Sequence, residues 1–185
     1  MKKVHFRALI LAGALISAFL FAFSLTGCHS DTVADPFHGF AGDITVKCAL
    51  NVQGAVSEIE FSRTAGEIKA VFDKPNTLQG FILSKKDGVF YISYGDISAD
   101  IDESAALILN LCSEAFAPHY SEMTVIKSEE RDGNKLTVIE SGGFIYLFSK
   151  EGVPLSVSGV FDGRQFEISI ASIAPLISET EGNAE

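Results

Sequence analysis

The chain has 185 residues, with 24 acidic side chains against 14 basic ones and a formal net charge of −10. This length suffices for one domain with a sizeable apolar core. The acidic balance excludes binding that depends on a lysine- or arginine-rich face, so we expect no binding of nucleic acid and no electrostatic attraction to anionic lipid headgroups.

The first 27 residues have the three-part layout of a secretory signal. Three basic residues lie within the first seven positions, residues 8–23 carry no charge, and small residues follow up to Gly27. This order of basic start, apolar centre and small-residue cleavage zone is typical of exported proteins. We therefore predict a signal peptide over residues 1–27, the alternative being a retained apolar span of marginal length. Its removal changes the net charge from −10 to −13, because it takes three basic residues and no acidic one.

The sequence Leu-Thr-Gly-Cys at residues 25–28 resembles a bacterial lipobox. The resemblance implies cleavage after Gly27 and attachment of a diacylglycerol to the thiol of Cys28, since a thiolate is the nucleophile that forms a stable thioether. One acyl chain alone anchors a protein only marginally, at about 0.8 kcal/mol per buried CH₂, so two or three chains such as palmitate are needed. We expect a protein anchored by lipid to the extracytoplasmic face of the cell membrane.

Turn dipeptides divide the rest of the chain into short segments. Residues 28–39 are predicted to be a polar tether, residues 40–172 a folded domain and residues 173–185 a flexible tail. The turns of the domain are Gln53-Gly54, Ala65-Gly66, Asp87-Gly88, Asp132-Gly133, Gly142-Gly143, Glu151-Gly152 and Asp162-Gly163. The segments between them are rich in β-branched and aromatic residues that alternate with polar ones, which predicts a meander of about 10–11 antiparallel strands.

Three segments depart from a simple alternation of buried and exposed residues. Residues 89–94 and 144–148 are apolar on both faces, which predicts strands that are central or covered on both sides. In residues 96–102, Ile97, Ala99 and Ile101 are predicted to point inward and the acidic residues outward. The acidic positions start like a calcium loop, but the required glycine and bidentate glutamate are missing, so a solvated strand face is the better interpretation.

One segment, residues 102–118, has helical periodicity. Ile108, Leu111, Cys112 and Ala115 follow the spacing of one helix face, which predicts a helix over about residues 103–117. Asp102 is the expected cap and Pro118 the expected stop. A helix this apolar has to be covered, and the concave face of the sheet is the natural place for it.

Two cysteines remain after Cys28, and both lie at apolar-patterned positions. Cys48 is on the inward face of a predicted strand, and Cys112 is on the apolar helix. Two buried free thiols are one interpretation, and a Cys48–Cys112 disulfide in an exported protein is another. A metal pair is disfavoured because two isolated thiols without matching histidines are too few ligands.

The order of these elements resembles the LolA/LolB-like group of bacterial envelope proteins. The resemblance covers about residues 40–170, and it is carried by FDKPNTLQGF at residues 72–81, KDGVFYISYGD at residues 86–96, the apolar helix, and GVPLSVSG at residues 152–159. The chain is most similar to small lipoproteins of anaerobic Gram-positive bacteria. The resemblance implies a mostly β, α+β half-barrel, that is, a curved antiparallel sheet with one main apolar helix on its concave face. It also implies an apolar cavity that holds acyl chains or segments of partner proteins.

The sequence lacks the common short motifs of catalysis and nucleotide binding, although the residues of a catalytic triad can be distant in sequence. The HExxH, G-x-S-x-G, phosphate-loop and GxGxxG patterns are missing, so we predict no enzyme, no cofactor and no metal. One functional hypothesis is binding of acyl lipid or lipopeptide in an apolar cavity, with Arg63 placed to meet a phosphate headgroup. The alternative is a filled interaction or sensor module that binds another envelope protein through its acidic convex surface. The candidate cavity residues are Phe61, Phe72, Phe81, Tyr91, Ile108, Leu111, Phe116, Tyr146 and Phe148.

The lipid anchor can be tested with the variant Cys28→Ala. We expect an uncleaved precursor, or protein released from the membrane, because alanine offers no thiol for the diacylglycerol. Detergent partitioning and mass spectrometry of the N-terminal peptide measure both effects. A wild-type N-terminus without acyl mass would contradict the prediction.

Overall fold

The computed structural model describes residues 35–117, 122–131 and 134–176. The strands are β1 (Ile44–Val52), β2 (Ala55–Arg63), β3 (Glu67–Lys74), β4 (Phe81–Lys86), β5 (Val89–Tyr94), β6 (Ile97–Ile101), β7 (Thr124–Arg131), β8 (Asn134–Ser141), β9 (Phe144–Phe148), β10 (Pro154–Phe161) and β11 (Arg164–Pro175). The helical elements are the 3₁₀ turns η1 (His38–Phe40) and η2 (Glu103–Ala106) and the α-helix α1 (Leu107–Ala115).

All eleven strands form one antiparallel sheet. Their order is β6-β5-β4-β3-β2-β1-β11-β10-β9-β8-β7, so β11 pairs with β1 in the middle and β6 and β7 are the edges. The chain reaches one edge, crosses with α1 to the other edge, and returns to the middle. The predicted fold class, a mostly β antiparallel meander with one main helix, is confirmed.

Two of the predicted turn dipeptides adopt the conformation of tight hairpin turns. Gln53 and Gly54 both have positive φ angles, of 51° and 90°, as do Asp162 and Gly163, at 48° and 73°. Two central residues with positive φ define the type I′ turn, whose twist matches that of the flanking strands. A turn of this type also fixes the register of the two strands that it joins.

The sheet is strongly curved. Arg63 on β2 and Tyr146 on β9 donate hydrogen bonds to the carbonyl oxygens of Phe116 and Ala115, which are neighbours at the end of α1. The strands β2 and β9 are four places apart in the sheet. Four strand spacings are about 19 Å in a flat sheet, and the convergence of both side chains on one helix end agrees with a curved sheet.

The main core lies between the concave face and α1. One row of paired residues crosses five neighbouring strands, and each member is at most 1% exposed: Leu50, Ile168, Val157, Tyr146 and Ile139. On α1, the buried residues are Leu109, Leu111, Cys112 and Ala115. The predicted helix face is thus largely correct, but Leu109 takes the central place and Ile108 is only half-buried. The predicted cap is wrong, since the Asp102 side chain makes no capping hydrogen bond.

The strands that are apolar on both faces are not covered on both sides. β5 is second from an edge, and its residues Val89 and Tyr94 are exposed, as is Ile145 on β9. On β6, Ile97 is 75% exposed, although it was expected to point into the core. The pattern identified which residues share a face, but the helix is too short to cover that face as far as β6.

The folded part begins before the predicted boundary at residue 40. Phe37 is fully buried and Phe40 is 2% exposed, so residues 37–40, which we call the plug, are part of the core. The Phe37 ring meets the rings of Tyr146 and Phe148 edge-on, with centroids 4.9 and 5.3 Å away. The domain also extends past residue 172, because β11 continues to Pro175. The signal peptide and Cys28 lie outside the described residues.

Truncation of the plug tests its contribution to stability. We expect Phe37→Ala to lower the free energy of unfolding by about 3–5 kcal/mol, because it leaves a cavity between packed rings. The control His38→Ala changes an exposed neighbour and should have little effect. Urea unfolding followed by circular dichroism measures the free energy of unfolding of both variants. An equal change in the two variants would contradict a stabilising role of the Phe37 ring.

Candidate functional site

The predicted cavity beneath α1 is filled by side chains. Phe61 and Phe116 lie with their ring centroids 5.3 Å apart, and Phe37 packs against Tyr146 and Phe148. All five rings are at most 1% exposed. Four of them belong to the predicted cavity lining, so the structure brings these residues together as a packed cluster.

The C-terminal end of α1 is held by two side chains from distant strands. The Tyr146 hydroxyl donates to the carbonyl oxygen of Ala115 at 3.0 Å. Arg63 Nη1 donates to the carbonyl oxygen of Phe116 at 2.8 Å, and Nη2 donates to those of Phe40 and Gly42. Burial, and secondarily the nearby Glu114 carboxylate, raises the pKa of the Tyr146 hydroxyl, which therefore remains a donor.

Arg63 therefore does not have the predicted role at a cavity mouth. Its guanidinium is bonded to backbone carbonyl oxygens of the plug and the helix end, not directed at a headgroup site. Sequence reasoning missed this role because the acceptors are main-chain atoms, which leave no signal in the sequence. The position of Arg63 at the end of a strand was the only available indication.

Burial of the concave face decreases steadily toward β6. In one row of paired residues, Phe61 and Ala70 are fully buried, Leu83 is 7% exposed, Ile92 is half-buried and Ala99 is exposed. Directly paired residues share a face of the sheet. The row therefore runs from beneath α1 to a part of the same face that α1 leaves uncovered.

A second row on the same face is uncovered and apolar. Phe81 pairs with Tyr94, and Tyr94 pairs with Ile97. The rings of Phe81 and Tyr94 are stacked at 4.7 Å between centroids, while Tyr94 is 52% and Ile97 75% exposed. We call this surface the apolar ledge; it consists of Phe81, Ile92, Tyr94, Ile97 and Ala99.

The remaining predicted lining residues lie in three different places. Phe72 is buried in the core beside the ledge, and Leu111 is buried on α1. Ile108 is half-buried on α1. Tyr91 lies on the convex face, because it alternates with the buried Phe90 and pairs with Ser84 and Asp100. A concave site therefore cannot include Tyr91.

Both remaining cysteines lie in the core and are unbridged in the structure. Cys48 is 4% exposed and Cys112 is fully buried. Burial raises the pKa of Cys48 to about 12, and burial together with the nearby Cys48 raises that of Cys112 well above its usual value. Neither sulfur is a reactive thiolate at neutral pH. A disulfide between them stays a prediction.

A groove of about 470 Å³ runs beside α1 and is separate from the ledge. Asn110, Ser113 and Glu114 form its helix wall, and Glu103 and Asp162 add two more carboxylates. Apolar strand residues and Lys85 complete its lining. This mixed and open lining does not suit a buried acyl chain.

Two kinds of feature do not occur in the described part of the chain. No group of three histidine, cysteine, aspartate or glutamate residues there is placed to hold a metal ion. No helix there is long and apolar enough to cross a membrane.

Comparison with known proteins yields similarities of structure. No family model matches the chain. No curated protein matches it either. A LolA superfamily protein from Nitrosomonas europaea is 10% identical with a TM-score of 0.40, covering 72% of this chain and 86% of that one. The lipoprotein LppX from Mycobacterium tuberculosis is 12% identical with a TM-score of 0.41, covering 72% and 87%. MucB is 12% identical with a TM-score of 0.46, covering 83% and 62%. At these identities the likeness concerns the fold alone.

The role of Arg63 can be tested by Arg63→Met, which keeps much of the side-chain length and removes every donor. We expect the free energy of unfolding to fall by about 2–3 kcal/mol, because carbonyl oxygens of the plug and the helix end lose a charged donor. Hydrogen exchange of the last amides of α1 should accelerate as well. Arg164→Met, at an exposed hairpin position, is the control, and an equal response of the two variants would contradict this role.

Proposed function

We propose that this chain is a non-enzymatic binding module that binds a partner through the apolar ledge. We further propose that a lipid on Cys28 holds it at the extracytoplasmic face of the membrane. The decrease of burial along the concave rows, from fully buried at Phe61 to 75% exposed at Ile97, carries the first proposal. The signal-like leader, the lipobox and the resemblance to small lipoproteins of anaerobic Gram-positive bacteria support the second.

The filled interior favours a module over a carrier that encloses its ligand. Ligand cavities measure about 300–1,000 Å³ and are mostly apolar. The space beneath α1 is occupied by Phe61, Phe116 and the rings around Tyr146, and the groove of about 470 Å³ beside α1 is open and partly acidic. This supports the filled-core hypothesis. The binding surface we propose, however, is the concave ledge and not the acidic convex face.

The ledge has the properties of a contact surface. It is an apolar patch on an acidic protein, and such patches with polar rims mark interaction sites. Stacking of Phe81 on Tyr94 fixes both rings in place before any partner binds, so little conformational entropy is lost on association. Covering each 100 Å² of apolar surface contributes about 2.5 kcal/mol.

Acyl lipid is a second candidate ligand for the ledge. Its surface is apolar, and Lys85 is the basic residue nearby, with its ammonium group 4.6 Å from the centre of the Phe90 ring. An acyl chain lying on the ledge would therefore leave its headgroup in water. The resemblance to the LolA/LolB-like group favours this ligand, and a fatty-acid competitor distinguishes it from a polypeptide.

The double variant Tyr94→Ser/Ile97→Ser tests the ledge as a binding surface. We expect affinity for a naphthalene-sulfonate dye to fall about tenfold, since two exposed apolar groups are lost. Val56→Ser/Ile145→Ser removes two comparably exposed groups from the convex face and should leave dye binding unchanged. Fluorescence titration measures both variants, with a long-chain fatty acid as competitor. If the convex variant loses the dye and the ledge variant keeps it, the proposal fails.

A further inference from the structure

We propose that the ledge binds an extended cationic polypeptide segment that adds a strand to the free edge of β6. This inference rests on the proposed function of the ledge and names its partner. The segment would place alternate apolar side chains beside the ledge and lysines or arginines beside the acidic side of β6.

The backbone of β6 offers unpaired hydrogen-bonding groups. β6 is the last strand of the sheet and pairs only with β5 among the described strands. The two strands are joined by the two-residue turn Gly95–Asp96, and Tyr94 pairs with Ile97 across it. The pair that closes such a turn exchanges hydrogen bonds, and the antiparallel pattern then alternates. The N–H and C=O groups of Ser98 and Asp100 therefore point away from β5, toward a strand that would lie alongside.

The two faces of β6 specify the side chains of such a strand. Ile97, Ala99 and Ile101 lie on the concave face, and Ser98 and Asp100 lie on the convex face. Residues in a neighbouring strand that share a face come within about 4.5–5.5 Å of these side chains. The partner strand would thus alternate apolar residues, which extend the ledge, with residues that face the carboxylate.

The charge around the edge favours a cationic partner. Asp96, Asp100, Asp102 and Glu103 are all exposed near β6. A second copy of this chain would bring its own acidic β6 against this one, and like charges placed opposite each other are destabilising. An anionic lipid headgroup meets the same repulsion and has no backbone to pair with the free edge. A basic polypeptide can pair with the free backbone groups of β6 and also with the carboxylates near it.

The opposite edge, β7, also exposes apolar side chains such as Val125 and Ile126, but its backbone is less suited to pairing. β7 has an irregular register between Val125 and Lys127, which interrupts the ladder, and Lys127 is exposed. Bulges and lysines on an edge strand hinder the addition of another strand. The two edges therefore differ in their capacity to pair.

The test uses the full processed protein in nonionic detergent and a fluorescent nine-residue peptide of alternating lysine and valine with blocked ends. We expect saturable binding by fluorescence anisotropy, and weakening of at least tenfold for Ser98→Pro. Proline removes an N–H that faces the free edge without removing a bond to β5. The control Ser98→Ala keeps that N–H and should bind like the wild type. Circular dichroism confirms that both variants are folded.

Peptide variants keep the test decisive if Ser98→Pro does not fold. N-methylation of the alternate peptide residues whose N–H groups face β6 should abolish binding. A peptide of the same composition, with all lysines in one block and all valines in another, should bind at least tenfold more weakly. Asp100→Lys should weaken binding, while Glu167→Lys, the same charge change on a central strand, should weaken it much less. Equal binding of all these peptides would overturn the inference.

The remaining outcomes separate this inference from the proposed function. If the apolar dye binds the ledge but the alternating peptide does not, the strand-addition inference is wrong and the ledge proposal stands. If neither binds, the ledge proposal fails with it. Concentration-dependent dimerisation that Ser98→Pro abolishes would assign the edge to a second copy. Binding to phosphatidylglycerol vesicles that competes with the dye would assign the ledge to lipid, and either result would overturn the inference.

Discussion

The arrangement of this domain depends on how the carbonyl groups at the end of α1 are satisfied. The last carbonyls of a helix have no partner within the helix, and here Arg63 from β2 and Tyr146 from β9 donate to the two at Ala115 and Phe116. Because Arg63 also bonds the plug, one guanidinium joins helix, sheet and N-terminal segment. The same bonds tie the C-terminal end of α1 to β2 and β9, and α1 also contacts β3.

That position explains why one domain has both a closed core and an open apolar surface. A helix of nine residues is about 14 Å long, and eleven strands would span about 48 Å if laid flat. Even with strong curvature, such a helix covers only part of the concave face. Since Tyr146 and Arg63 hold its end against β2 and β9, the outer part of the concave face around Tyr94 and Ile97 is left without cover, although Phe90 on β5 is still buried.

The sequence was sufficient to predict the strands, the helix and the inward face of each. It was not sufficient to predict which of those faces another element covers. Turn pairs such as Asp162-Gly163 and the period of two predict the meander because both signals are local. Ile97 has the pattern of a core residue, yet whether a strand lies at an edge depends on the order of strands in the sheet. Phe37 was missed because it precedes the first strand, and the rings that it contacts, Tyr146 and Phe148, come from β9, far away in the sequence. For the candidate site, four aromatic residues of the packed cluster beneath α1 were predicted from the sequence. The apolar ledge could not be predicted, because its exposure depends on how far α1 covers the concave face.

The plug has a mechanical consequence. At most about 32 Å of extended chain separates Cys28 from Phe37, so a domain anchored at Cys28 would stay close to the bilayer surface. Tension along this segment would reach the core at Phe37, whose ring packs against Tyr146. Tyr146 in turn holds the end of α1. A pull on the anchor would therefore reach the end of the helix through a single strand, β9.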